Sequence, residues 1–216
     1  IPFITLLDLD RERDGGGWGR IKYALIQLIE NGEAKRDLLT VEDGSVLSDQ
    51  ELSDMHTWEE SEDIDGWIEM LESFGVYYSN PLDIDFLMIE RFLNDYLKTL
   101  EKHEGPLIRI NDSDKQKRIQ ELDDEEKNTP AYKERIISDV KRALKKNGGK
   151  GDTYTGAQRE LMIWYSYFFL SRGKPVTHLQ ALNYITDDLL KANSPSVFVN
   201  IADKIKELLN IGEYSV

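Results

Sequence analysis

Phe3-Ile4-Thr5-Leu6-Leu7-Asp8-Leu9-Asp10-Arg11-Glu12-Arg13-Asp14-Gly15-Gly16-Gly17 is the stretch on which the reading of this chain turns. Its first five residues form a short apolar run rich in β-formers, which reads as a buried strand over 3–7. The run stops at Asp8, Asp10 and Glu12, in Asp-x-Asp-x-Glu spacing. Alternate residues of an extended chain point the same way, so the spacing predicts three carboxylates on one side of the strand's carboxyl end. Ligands collect at that edge in open α/β sheets. Crowded like charges are unfavourable unless a hard cation neutralises them, and carboxylate oxygens suit Mg²⁺ or Mn²⁺. The plain alternative is an acidic surface turn, a common feature in a chain with 41 Asp plus Glu. Three glycines directly after the triplet favour the first reading, because they let the backbone approach a bulky ligand closely. Asp14 is expected only to cap the helix that follows.

Outward from this stretch, residues 18–31 place Trp18, Ile21, Tyr23, Ala24, Leu25, Leu28 and Ile29 at helical spacing, and Asn31-Gly32 ends the helix. Leu38–Val41 reads as a short strand, and 42–63 as an acidic loop with one helical turn. Ile64, Trp67, Ile68, Leu71 and Phe74 predict a helix that Gly75 breaks. Val76–Ser79 is a second strand, Asn80-Pro81 a turn, and 85–101 a further helix. Residues 111–128 are almost wholly polar and read as exposed helix or disorder. Helices are expected at 130–146, 157–171, 176–192 and 195–209. The expected architecture is α/β, a small sheet with flanking helices, a helical insertion and a helical C-terminal portion. Three segments follow: a metal-binding core over 1–105, a polar and basic helical insertion over 106–155, and C-terminal helices over 156–216.

A chain of 216 residues can bury a substantial core, and 40% apolar residues are ordinary for a folded protein. No segment approaches the length of a membrane helix, and no secretory or transit-type leader is read. Zero cysteines exclude disulfides and thiolate metal sites, and a cytoplasmic protein is expected. The net charge of -14 argues against a generic nucleic-acid binder, although basic groups can act locally. Lys115, Lys117, Arg118, Lys133, Arg135, Lys141, Arg142, Lys145, Lys146 and Lys150 are either a solvated helix face or a nucleic-acid-facing strip.

Two later segments carry candidate chemistry. Phe74-Gly75-Val76-Tyr77-Tyr78-Ser79-Asn80-Pro81-Leu82-Asp83-Ile84-Asp85-Phe86 puts Asp83 and Asp85 just beyond the second strand. If the two strands are parallel, these acids approach Asp8 and Asp10; otherwise one of them caps the next helix. Gly173-Lys174-Pro175-Val176-Thr177-His178 presents Lys174 between two helices. An ammonium there either stabilises charge developing on a phosphate or closes a helix terminus. Arg20 and Lys22, on the helix after the glycines, are candidates for contact with substrate phosphate beside that helix's N-terminal amides.

Strand, Asp-x-Asp-Arg-Glu and glycine turn resemble the second acidic motif of Toprim domains, the metal-binding fold of topoisomerases, primases and OLD-family nucleases. The extended form over residues 6–22, with the two later segments, is most similar to the OLD-type endonucleases encoded beside a UvrD-like helicase, which points to phage defence. The resemblance implies a DNA endonuclease using two Mg²⁺ or Mn²⁺ ions. Asp8, Asp10, Glu12 and Asp83 would hold the metals, with Asp85 a further ligand, and Asp8, Asp10 and Lys174 would be catalytic. Arg20, Lys22 and His178 would meet the substrate. It also implies an ATPase domain in the same polypeptide, a homodimer and a UvrD-like partner. Toprim domains carry an essential glutamate on an earlier strand, and with Ile1 standing where an initiator Met would be, the chain reads as part of a longer polypeptide. The alternatives are a primase- or topoisomerase-like Toprim domain and a non-catalytic phosphate-binding or assembly module. None of the ten tyrosines stands in a context recognisable as a topoisomerase nucleophile.

Overall fold

The computed structural model of the chain describes residues 3–41, 43–59, 63–110 and 116–209. In chain order the elements are β1 (Thr5–Asp8), α1 (Trp18–Glu30), α2 (Lys35–Leu39), α3 (Asp49–Asp54), α4 (Ile64–Ser73), β2 (Val76–Ser79), α5 (Ile84–Leu97), β3 (Leu107–Ile108), β4 (Lys117–Arg118), α6 (Asp124–Lys127), α7 (Pro130–Leu144), α8 (Gly156–Leu170), α9 (Lys174–Leu182), α10 (Asp187–Asn193) and α11 (Ser196–Leu208). The architecture is mixed α/β, mostly helical with little sheet. One unit comprises the described residues up to Ile84 and from Pro195 on, and the other comprises Asp85–Ser194. The segment boundaries expected after residues 105 and 155 both fall inside the second unit. Among the described residues no helix is long and apolar enough to cross a membrane.

In the first unit β1 and β2 pair in parallel, with Thr5 opposite Val76 and Asp8 opposite Ser79. Strands joined in parallel need a crossover, which α1 to α4 supply. β2 is buried along its length, in keeping with its run of Val and Tyr. Trp18, Ile21, Leu25 and Leu28 form the buried stripe of α1, and Ile64, Ile68 and Leu71 that of α4. They close with Leu9, Val76 and Tyr78 into one core. Tyr23, expected on the buried stripe, is exposed. α11 packs on β2 from the far end of the chain.

The second unit is built on the α7–α8 pair. α8 buries nearly every residue from Leu161 to Phe169 and so serves as a central helix, apolar all round. Phe86 of α5 packs against Tyr154 and Tyr165, and Tyr96 against Phe168 and Phe169.

Several expected elements differ. Residues 38–41 are no strand: Leu38 and Leu39 end α2 buried, and only Thr40 makes an isolated bridge, to Val46. Leu favours helix, and the apolar pair reaches the core equally well from a helical turn. The acidic stretch after it contains α3, whose N-terminus is closed by a Ser48–Glu51 capping box. Within 111–128, residues 111–115 lie outside the described residues. β4 pairs antiparallel with β3, and a 3₁₀ turn and α6 follow. The single helix expected over 176–192 is two, because the Thr186 side chain accepts from Leu189 N–H and starts α10 afresh.

The core assignment of α1 has a direct test. Leu25→Ala removes a fully buried side chain and should lower the unfolding free energy by about 2–5 kcal/mol. Tyr23→Ala, two residues away on the exposed face, should change it by less than about 0.5 kcal/mol. Urea unfolding followed by tryptophan fluorescence distinguishes the two, and equal losses would place α1 wrongly on the core.

Candidate functional site

Past Asp8 the chain stays stitched to the second strand's exit. Leu9 N–H donates to Ser79 O (3.4 Å), Asp10 N–H to Leu82 O (2.8 Å) and Arg11 N–H to Pro81 O (2.9 Å). The turn then closes on itself through Arg13 N–H to Asp10 O (2.9 Å) and Gly17 N–H to Leu9 O (2.8 Å). Two of the three glycines have a specific structural reason. A Cβ on Gly16 would lie 1.9 Å from the Asp10 carbonyl oxygen, and Gly17 has φ +52° with ψ -119°, a region only glycine occupies comfortably. The same Gly17, rather than Asp14, occupies the N-cap position of α1.

The extended geometry ends at Asp8. Asp10 and Glu12 have φ +55° and +61°, so the period-two alternation predicted for the triplet does not hold. Aspartate tolerates this left-handed conformation better than glutamate does, and Glu12 is the more strained of the two. Asp8 is exposed and accepts a hydrogen bond from Ser79 Oγ (3.1 Å), whereas Asp10 is buried.

The acids that meet are Asp10 and Asp83. Arg13 Nη1 lies 2.5 Å from Asp10 Oδ1 and 3.3 Å from Asp83 Oδ2. Arg20 Nη2 takes the other Asp10 oxygen at 2.8 Å. Asp10 and Asp83 are 7% and 3% exposed, and burying two anions without partners would be costly, so the shared guanidinium is what makes the pair tolerable. Among the described residues no three His, Asp or Glu side chains group closely enough to hold a metal ion. A cavity of about 300 Å³ is bordered by Asp8, Arg20 and Tyr23. Lys22 points elsewhere, donating to Ser53 O (2.7 Å) and sitting 3.2 Å from His56 Nδ1.

In the second unit Asp85, Lys174 and His178 come together. The Lys174 ammonium pairs with Asp85 Oδ2, and His178 Nε2 is 2.7 Å from Asp85 Oδ1. The other ring nitrogen of His178 is 2.6 Å from the Tyr96 hydroxyl, and Phe169 stacks on the imidazole. Burial pushes the Asp85 carboxyl up, but the hydrogen bonds from His178 and Lys174 outweigh it and hold the group below its ordinary value. Burial raises the Tyr96 hydroxyl well above its ordinary value, with the Asp85 charge adding to the effect. Tyr96 is therefore a neutral hydrogen-bonding group rather than a nucleophile.

Arg13 and Tyr96 were not among the expected residues. Arg13 could have been suspected, since a basic residue inside an acidic turn is its nearest counter-charge. Nothing local marks Tyr96, whose partner lies 82 residues away. The basic run is partly neutralised within the second unit: Lys117 pairs with Glu126, Arg118 with Glu121 and Arg135 with Asp139. Lys115 lies outside the described residues.

The depressed Asp85 carboxyl sets a pH dependence. Its contribution to stability is complete above the ordinary value of 3.8 and is lost as pH falls through the lower folded value. Asp85→Asn should therefore flatten the acid limb of the stability curve below about pH 4, while lowering stability at neutral pH. An unchanged acid limb in thermal melts from neutral pH down to about pH 3 would remove Asp85 from that role.

Comparison with known proteins adds no assignment: no family model, curated protein or solved structure gives a significant match to this chain.

Proposed function

We propose that this chain is a Toprim-like, divalent-metal-dependent DNA endonuclease domain of the OLD type. The observation that carries the reading is the meeting of Asp10 and Asp83 on one guanidinium, beside the carboxyl ends of two parallel strands. Arg13 and Asp83 are 70 residues apart in sequence, so the fold rather than local composition brings the acids to one cation. Carboxylate oxygen is the donor type a hard divalent ion prefers, and the two acids that meet hold the Arg13 guanidinium in that place. Asp8, Asp10, Glu12 and Asp83 would hold Mg²⁺ or Mn²⁺, two ions in all, in exchange for Arg13. When bound, the ions supply a hydroxide nucleophile and stabilise the leaving oxygen of a phosphodiester.

The remaining residues have their own tasks. Arg20, at the wall of the 300 Å³ cavity, binds substrate phosphate. Within the second unit Lys174 is half exposed and held by Asp85, and a catalytic use of its ammonium rests on the resemblance of its segment to OLD-type nucleases. Asp85 and His178 position that ammonium, so Asp85 is assigned to Lys174 rather than to a metal. An ATPase domain in the same polypeptide, a homodimer, a UvrD-like helicase partner and a cytoplasmic location accompany this reading.

A competing reading takes Arg13 and Arg20 as a purely structural clamp on Asp10, in a module that binds phosphate without cleaving it. Metal separates the two. Millimolar Mn²⁺ should raise the melting temperature, because an ion that binds only the folded state stabilises it by mass action. Asp10→Ala should abolish both that shift and DNA nicking. Identical melting curves with and without Mn²⁺, or wild-type nicking by Asp10→Ala, would leave the clamp reading in place.

Lys174 has a separate test. Lys174→Ala should lower single-turnover cleavage by roughly 10²–10³-fold, the loss typical of one preorganised charge donor. DNA affinity should change little, since one phosphate contact is a small part of a many-contact interface. Lys174→Arg should rescue poorly, because a planar fork does not replace a compact ammonium. A near-normal rate for the Ala variant would reduce Lys174 to a counter-ion of Asp85.

A further inference from the structure

A larger cavity, about 390 Å³, lies within the first unit, walled by Trp18, Trp58 and Trp67. The ring centroids are 5.0, 6.5 and 6.2 Å apart and the planes meet at 67°, 80° and 68°. Three indoles standing steeply to one another form the corner of a box. Trp18 anchors it: its ring is buried, and Nε1 donates to Glu59 O at 2.9 Å, 41 residues along the chain. Trp58 and Trp67 are half-buried, so both present aromatic surface to the opening. The wall also includes Asp63, whose Oδ1 accepts from Gly66 N–H and caps α4, and the thioether of Met70.

We propose that this cavity is a binding site for a methylated ammonium group. Indole faces carry negative quadrupole density, and a quaternary ammonium, which cannot hydrogen-bond, is well solvated by them. The Asp63 carboxylate at the wall adds charge complementarity and disfavours anions. Ring geometry selects a ball-shaped group over a flat one. No two of the three planes are near parallel, so no slot exists in which a nucleobase could lie sandwiched between them. The site is independent of the acidic turn and of the nuclease reading.

The test is titration of the whole chain with choline and with its neutral isostere 3,3-dimethylbutan-1-ol, read by tryptophan fluorescence. Three of the chain's four tryptophans border the cavity, so occupancy is directly visible. Choline should give a saturable change and the isostere should bind at least several-fold more weakly. Asp63→Asn should weaken choline by roughly three- to tenfold while keeping the helix cap, because Asn caps as well as Asp does. A trimethyl-lysine peptide that binds more tightly than choline assigns the group to a protein side chain, and the reverse order assigns it to a small molecule. Equal binding of choline and the isostere, no saturable change with choline, or an Asp63→Asn variant that binds choline normally would overturn the proposal.

Discussion

The first unit depends on a backbone ladder that continues beyond its two strands. Pairing of Thr5–Asp8 with Val76–Ser79 is extended by Leu9, Asp10 and Arg11, which donate to Ser79, Leu82 and Pro81. A parallel pair alone is a weak element, and these added bonds fix the turn carrying the acids to the loop carrying Asp83. The turn can run this close to itself only because Gly16 has no Cβ to meet the Asp10 carbonyl. With the two backbone segments joined, Asp10 and Asp83 both reach the guanidinium of Arg13.

Electrostatics of the two units follow one rule applied twice. In each unit a buried carboxylate lies beside basic groups, Arg13 and Arg20 for Asp10, Lys174 and His178 for Asp85. The consequences differ with the partner. A guanidinium presents a planar fork of donors, whereas the His178 imidazole is a single ring whose orientation Tyr96 and Phe169 fix. The overall charge of -14 is thus a poor guide to either site. What matters locally is which acids are paired, and much of the basic run is already spent on Glu121, Glu126 and Asp139.

Long, strongly patterned helices were readable in advance, among them α1, α4, α7 and α8, because their apolar spacing is itself the cause of their burial. The Val76–Ser79 strand and the turn after it were readable for a similar reason, β-formers bounded by Gly75 and Asn80-Pro81. Short segments were not. Leu38 and Leu39 satisfy a strand or a helix equally by pattern, and the core surface they meet selected α2. The Thr186 cap that divides α9 from α10 is a single side chain within a continuous run of helix-compatible residues.

At the candidate sites the sequence alone determined which residue types were present and that acids cluster after the first strand, since spacing and composition are properties of the chain itself. Parallel pairing, which sets Asp8 opposite Ser79, was decided by the crossover helices and the core they share. The turn that holds Asp10 and Glu12 at positive φ is tied through Asp10 and Arg11 to the neighbouring loop, whose place only the tertiary fold sets. The choice of partners was tertiary as well. Arg13 reaches an aspartate 70 residues on, and His178 reaches a tyrosine 82 residues back, because burial makes any unpaired charge or polar group costly and the nearest compatible group in space, not in sequence, removes that cost.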